Sequence, residues 1–265
     1  MAKVTGDSRL QSDVLEDLSD AHRYRRWLAD LARPYLGDDP IEVGSGTGDY
    51  ALEWASGVRR FTATEADETR FPALSARFAG HPVIRAQWLL LGHPADGGTG
   101  SVARPTDDVH ALTGDPEPRA GGEHSAAIAY NVLEHIPDHV AALRAMAALV
   151  RPGGAVILIV PAFPSAMSRF DLAIGHQRRY TRASLRAAVD EAGLAVAQLR
   201  YVNPIGLVGW YVTVKAMRMT PRNGALLRAY DRTVVPLARL ADGRVPAPFG
   251  QSIFAVARRP KIASI

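Results

Sequence analysis

The sequence predicts an α/β fold built on a doubly wound, largely parallel sheet, and three observations lead there. Strand-like and helix-like segments alternate along most of the chain. AVILIVP at 155–161 is an unbroken apolar run, the pattern of a strand covered by helices on both faces. IEVGSGTGDY at 41–50 sets Gly44, Gly46 and Gly48 between a short apolar strand and the start of a helix. In such sheets ligands bind beyond the carboxyl ends of the strands, at the point where the strand order reverses.

Each element has its own local reason. Residues 10–18 and 20–33 read as two helices of an N-terminal cap spanning 1–36. In the second, Tyr24, Trp27, Leu28 and Leu31 recur at helical spacing, Asp20 stands at the cap position, and Pro34 and Gly37 end it. DDPIEV (38–43) is a short buried strand and Tyr50–Ala55 a helix. FTATE (61–65) is a strand rich in β-branched residues. A helix over 69–78 and a strand over 83–90 follow. Residues 92–124 are rich in Gly, Pro, Asp and His, lack apolar periodicity, and read as a long loop insertion. AAIAYNV (126–132) is a strand, 138–150 a helix, RPGG (151–154) a turn, and AVILIVP the next strand. Thr181 caps a helix that Gly193 stops. LAVAQLRYV (194–202) alternates as a strand, 204–241 is helical in two pieces broken at 220–224, and SIFAVARRP (252–260) is the last strand. The chain reads as one domain over 1–265, with 203–248 a helical lid or dimer insertion.

Composition narrows the function. The 265 residues suffice for a full core, and no Cys is present, so no disulfide framework or thiolate metal site can form. The N-terminal residues lack the apolar core of a signal peptide, and a cytoplasmic protein is expected. The net charge is +4, with basic residues dispersed apart from short pairs, so nucleic-acid binding is not expected.

The glycines make room for a polar ligand, because they permit left-handed backbone and close approach, and a helix N-terminus follows with free N–H groups. A dinucleotide loop would read G-x-G-x-x-G. Here the spacing is G-x-G-x-G followed by Asp49, an acid that suits an ammonium group better than a pyrophosphate. Glu65 ends the second strand and can accept two hydrogen bonds from a ribose diol.

The ordered set E-V-G-S-G-T-G (42–48), Glu65, NVLEHIPD (131–138) and RPGG (151–154) resembles the class I S-adenosylmethionine-dependent methyltransferases over residues about 20–200. VPAFPSAMSRFDLAIGHQRRYT followed by PFGQSIFAVARRP looks like a bacterial small-molecule subgroup with a GHxRRY segment. The resemblance implies a Rossmann-like, seven-stranded sheet with its last strand antiparallel, and S-adenosyl-L-methionine as cofactor. It implies that Glu42, Gly44, Gly46 and Gly48 form the cofactor loop, that Asp49 lies near the methionine amine, and that Glu65 holds the ribose. Asn131, Val132 and Leu133 would line the cofactor near its sulfonium, and Tyr24 and Trp27 would lie on a covering helix. The acid usual after the third strand is missing from WLLLGHP, and Asp115 is the nearest substitute for contact with the adenine amine.

Methyl transfer needs an aligned nucleophile and, for a hydroxyl, a base. His titrates near neutrality, and His135, His139 and His176 lie close to the motifs. His135 and His176 are the candidate bases, each with a structural hydrogen bond as its alternative. Arg178, Arg179 and Tyr180 could bind an anionic or oxygen-rich acceptor, or could fix the loop by pairing, with Asp171 as partner. His139 reads as a solvent-facing helix residue. No metal constellation is expected, since H-E-x-x-H is absent and the His and Asp of 92–124 lack ligand spacing on a rigid element. No G-x-S-x-G elbow occurs. The apolar segment 202–219 is interrupted by Lys215 and Arg218, which argues for a lid or homodimer helix over a membrane span, with a surface-lying membrane contact or plain core as alternatives.

The function expected is methyl transfer to an oxygen or nitrogen of a small-molecule acceptor. A natural-product tailoring step is preferred by analogy and by a composition suggesting a high-GC genome. The rivals are a lipid-linked or cell-envelope sugar as acceptor, an NAD-dependent oxidoreductase, and a non-catalytic cofactor-binding protein.

Overall fold

A computed structural model describes residues 21–93, 101–103, 122–216, 224–242 and 247–261. Its frame is a seven-stranded sheet of order β3-β2-β1-β6-β7-β9-β8. The strands are β1 (Ile41–Glu42), β2 (Phe61–Glu65), β3 (Ile84–Trp88), β6 (His124–Tyr130), β7 (Val150–Pro161), β8 (Ala195–Val202) and β9 (Ser252–Arg258). β1, β2, β3, β6 and β7 run parallel, and β9 is antiparallel to both of its neighbours, β7 and β8. The strand order reverses between β1 and β6, so the glycine loop after β1 and the turn after β6 stand side by side at the carboxyl edge.

The unbroken apolar run of β7 is explained by its two faces. Val156, Leu158 and Val160 point into a core with Leu143, Met146, Leu185 and Val189, from the helices α4 (His139–Leu149) and α6 (Arg182–Glu191). Ala155, Ile157 and Ile159 point the other way, into a core with Leu28, Trp54 and Leu74. Those three come from α1 (His22–Ala32), α2 (Asp49–Ala55) and α3 (Phe71–Phe78). With water excluded from both faces over 155–161, a polar residue anywhere in that stretch would lose its solvation. Asp138 caps α4 by accepting the Ala141 N–H at 2.9 Å, and Thr181 and Ser184 form a capping box on α6.

Four local expectations are corrected. The strand expected over 126–132 ends at Tyr130, because Asn131 takes φ 54 and turns the chain. RPGG lies within β7, whose pairing with β6 shifts register between His124 and Ala126 to absorb it. The insertion is not structureless throughout, since β4 (Leu90–His93) pairs antiparallel with β5 (Ser101–Ala103). A short helix, α5 (Arg169–Ala173), was not anticipated. The helix expected over 10–18, the Asp20 cap, Asp115 and the break at 220–223 lie outside the described residues.

The segment between β8 and β9 holds α7 (Pro204–Trp210), a π-helical turn (Tyr211–Ala216) and α8 (Gly224–Asp242). It fastens to the N-terminal helix. Trp27 is buried against Val235 and Ala238 of α8, and Arg239 pairs with Asp30 at 2.7 Å. The buried Asp231 carboxylate accepts the Arg23 and Tyr24 N–H groups at 3.1 and 2.7 Å, capping α1 from more than two hundred residues away. Asp231→Ala removes that cap and should cost about 1–2 kcal/mol. Chemical denaturation should show the midpoint falling with an unchanged slope; an unaltered midpoint would mean that water replaces the carboxylate.

Candidate active site

The glycine loop is shaped by what it touches. Gly44 sits at φ 70, and a Cβ there would lie 2.8 Å from Val132 Cγ2, so the loop packs directly on the turn after β6. Gly48 sits at φ 82 as the cap of α2, and a Cβ there would meet the Phe78 ring at 2.5 Å. Both positions need a residue without a side chain. Ser45 is laced to β2, its N–H donating to the Thr64 carbonyl at 2.6 Å and its hydroxyl accepting the Thr64 N–H at 3.0 Å.

Three acids surround this loop, and they are not equivalent. Glu65 is buried, and its Oε2 accepts the Gly46 N–H at 3.0 Å while Oε1 accepts the Ala66 and Asp67 N–H groups, each at 2.9 Å. Arg70 stands 3.4 Å from the same Oε1. Asp49, expected to face an ammonium group, pairs with Arg77 at 2.8 Å, with Arg25 at 3.7 Å. Within the protein, Asp49 therefore has two cationic neighbours. Glu42 is the exception: it is 2% exposed and its Oε2 has no hydrogen-bond partner. Burial raises its pKa to about 8, against a hydrogen bond from Ser45, with the charges of Glu65 and Asp49 adding to the rise.

Past β6, Asn131 donates its N–H to the Ile159 carbonyl at 2.8 Å, and Leu133 is buried in the core. Glu134 is wholly buried. It stands 3.8 Å from His176 Nε2, and the His135 and His176 rings meet edge to face at 4.7 Å. Burial lifts Glu134 to about 7, partly offset by His176 and Arg179. Burial lowers His135 to about 4, with His176 adding to the fall.

His176 is held from the other side. Its Nδ1 lies 2.9 Å from Asp171 Oδ1. Arg179 donates to the same oxygen at 2.7 and 3.1 Å, and Asp171 Oδ2 accepts the Ser168 N–H at 2.7 Å. Burial alone would raise Asp171, but the bonds from His176 and Arg179 outweigh it and hold the carboxyl near 2.

The structure therefore brings His135 and His176 together, and adds Glu134, which sequence reasoning passed over. The residue was visible in NVLEHIPD, but nothing in a one-turn 3₁₀ segment tells which side chain points inward. The residues expected to meet an acceptor are otherwise engaged. Arg178 donates to the Ile136 and Pro137 carbonyls at 2.5 and 2.7 Å. Arg179 is buried between Asp171 and the Trp210 ring, 4.6 Å from its centroid. Tyr180 is buried with its hydroxyl 3.2 Å from His139 Nδ1, so His139 also has a protein contact rather than a purely solvent-facing one. These bonds tie 176–180 to the turn after β6. Tyr24, expected over the cofactor, packs edge to face on Trp27 and near Asn203 and Tyr230, and burial raises its pKa.

Residues 14–199 match the methyltransferase domain family. The chain belongs to that family. The cofactor of this methyltransferase is S-adenosylmethionine. Solved structures share the fold at low identity. A chain of the complex between the Haloferax volcanii Trm112 methyltransferase activator and a methyltransferase aligns at 14% identity and TM-score 0.62, covering 99% of this chain and 100% of that one. The [4+2]-cyclase SpnF aligns at 16% identity and TM-score 0.54, over 89% and 82%. Geranyl diphosphate C-methyltransferase from Streptomyces coelicolor aligns at 13% and 0.54, over 88% and 78%. No curated protein matches the sequence.

The buried acid gives the methyltransferase a pH dependence of known sign. Glu42 titrates near 8 when folded and near 4.5 when unfolded, so its stabilising contribution is complete below about 4.5 and is lost as pH rises through 8. The cost of ionising it is on the order of a few kcal/mol, at about 1.4 kcal/mol per pKa unit. Thermal melts of the cofactor-free protein should fall from pH 5 to 8, and Glu42→Gln should flatten that fall. Parallel curves for the two proteins would show that Glu42 ionises at no cost.

Proposed function

We propose that this methyltransferase moves the methyl group of S-adenosylmethionine to an oxygen or nitrogen of a small molecule, with the cofactor laid along the glycine loop. The observation that carries the reading is the buried Glu42 carboxylate behind Gly44 and Gly46, with one oxygen lacking a donor. An α-ammonium group supplies the missing donor and positive charge, so the residues present fit the cofactor's methionine end. Glu65 stands where the ribose diol is expected, its Oε2 carrying a single protein hydrogen bond. Val132 packs on Gly44, which supports Asn131, Val132 and Leu133 as the adjoining wall in this reading.

When bound, the cofactor supplies an electrophilic methyl carbon, and the chain's residues do the rest. They align the acceptor for in-line attack and take up its proton. Glu134 and His176 face each other at 3.8 Å, beside the turn after β6 where the acceptor's proton would be taken up. Asp171 fixes the orientation of the His176 ring and leaves Nε2 turned toward Glu134. A natural-product acceptor remains the preferred class, in keeping with the name of the geranyl diphosphate enzyme that shares the fold.

A second reading, a lipid-linked acceptor, is favoured by one observation. Ile205, Val208 and Val212 recur along one side of α7 and its continuation, and all are exposed. Among the described residues no helix is long and apolar enough to cross a membrane, so contact would be peripheral. Flotation with anionic vesicles, lost in Val208→Asp, would favour this reading; no flotation would remove it.

Calorimetric titration with S-adenosylmethionine, S-adenosylhomocysteine and NAD tests the primary reading. Micromolar binding of the two sulfur compounds alone is expected, weakened at least tenfold by Glu65→Ala. Because the ammonium group favours ionised Glu42, binding at pH 7 should release close to one proton, read from the buffer dependence of the heat. Glu42→Gln should abolish that release. Binding of NAD alone would sink the proposal.

A further inference from the structure

We propose that Glu134, His135 and His176 form a binding site for a divalent first-row transition cation. Each offers one ligand atom, and the three atoms lie within 4.8 Å of one another. Glu134 is the decisive member. It is wholly buried, and neither carboxylate oxygen has a hydrogen-bond partner. Its nearest charged or titratable neighbours, His176 at 3.8 Å and Arg179, offset the lost hydration only in part, and a cation beside it would supply the rest. Arg179, the nearby buried guanidinium, is committed to Asp171 and the Ala162 carbonyl.

His176 is arranged as metal-ligating histidines are. Its Nδ1 is tied to Asp171 Oδ1 at 2.9 Å, and Arg179 holds that carboxylate in turn. With Nδ1–H donating to Asp171, Nε2 carries its lone pair toward Glu134, 3.8 Å away. Ligands around a tetrahedral ion at about 2.0–2.1 Å lie roughly 3.4 Å apart, so small side-chain rotations close the site. The His135 ring, 4.7 Å from the His176 ring, supplies the third ligand. Asp171 and Arg179 pair with each other, so Glu134 is the carboxylate left for a cation to answer.

The donor set names the class of ion. Two imidazoles and one carboxylate suit zinc, iron, nickel or manganese, whereas magnesium and calcium favour oxygen-only shells. Three protein ligands leave a position for water or for an oxygen of the acceptor. That last extension rests on the methyl-transfer reading, and an oxygen so bound gives up its proton more readily.

The test uses the full chain, without an affinity tag, after treatment with chelator. Titration with zinc, manganese and magnesium chlorides is followed by calorimetry, with circular dichroism confirming the fold of each variant. Zinc should bind once per chain at submicromolar Kd, and magnesium should not bind. Glu134→Gln and His176→Gln should each weaken zinc at least tenfold, whereas His22→Gln, at an exposed histidine, should not. Two variants guard against one failing to fold, and Asp171→Asn should weaken zinc while keeping all three ligands. No zinc binding, or zinc binding that survives both ligand substitutions, overturns the site. Zinc binding with no S-adenosylmethionine binding would uphold the site and overturn the cofactor reading alone.

Discussion

Burial of negative charge at the carboxyl edge of the sheet is the constraint around which the rest is organised. Glu42, Glu65, Glu134 and Asp171 are each at most 5% exposed; the first two end β1 and β2, and the others lie in the segments that follow β6 and β7. A carboxylate removed from water must find donors, a counter-charge or a proton. Two have done so within the protein: Glu65 takes backbone N–H groups from its own loop and from Gly46, and Asp171 takes His176, Arg179 and Ser168. Glu42 and Glu134 each keep at least one oxygen without a donor, and their pKa values stand near 8 and 7. Each of these two acids would be favoured by a positive charge placed beside its unpartnered oxygen.

The same accounting explains why residues 168–180 form a frame for the site and not a mobile lid. Asp171 caps α5, orients His176 and neutralises Arg179, while Arg178 grips the carbonyls of Ile136 and Pro137. The Ala162 and Tyr180 backbones bridge in parallel, closing the frame onto the end of β7. Sequence alone offered Arg178, Arg179 and Tyr180 either as groups for an acceptor or as groups that fix the loop by pairing, with Asp171 as partner. The guanidinium donors of Arg178 and Arg179 are taken up by backbone carbonyls and by Asp171.

How much of this could be read beforehand follows from the range of the interactions. β7 announced itself because burial on both faces demands an apolar residue at every position, and α6 because Thr181 and Ser184 cap it locally. The glycine loop was legible since φ > 0 leaves few other residues to choose. What stayed hidden was set by distant partners. Asp231, more than two hundred residues away, supplies a buried carboxylate to the first free N–H groups of α1. Asp49 read as an acid for an ammonium group from its place after the glycines, and its pairing with Arg77 from α3 could not be read there. The cluster of Glu134, His135 and His176 joins two loops some forty residues apart, and no spacing within either loop encodes it.

Glu65 shows how closely the loop and the ligand must trade places. Its two oxygens already accept three backbone N–H groups and lie near Arg70, close to the four acceptor sites of a carboxylate. A ribose diol held by Glu65, as proposed, would find only the second lone pair of Oε2 open. It must share Oε2 with Gly46 or displace that N–H, and displacement would draw the loop away from β2. The Ser45 lacing to Thr64 opposes such movement at the next residue, and Val132 beneath Gly44 limits it from below. Sharing is thus the less costly outcome: the glycine loop keeps its place, and the diol takes the remaining lone pair of Oε2. On this argument the loop is preorganised, and the gain in charge stabilisation on binding comes from Glu42, not from Glu65.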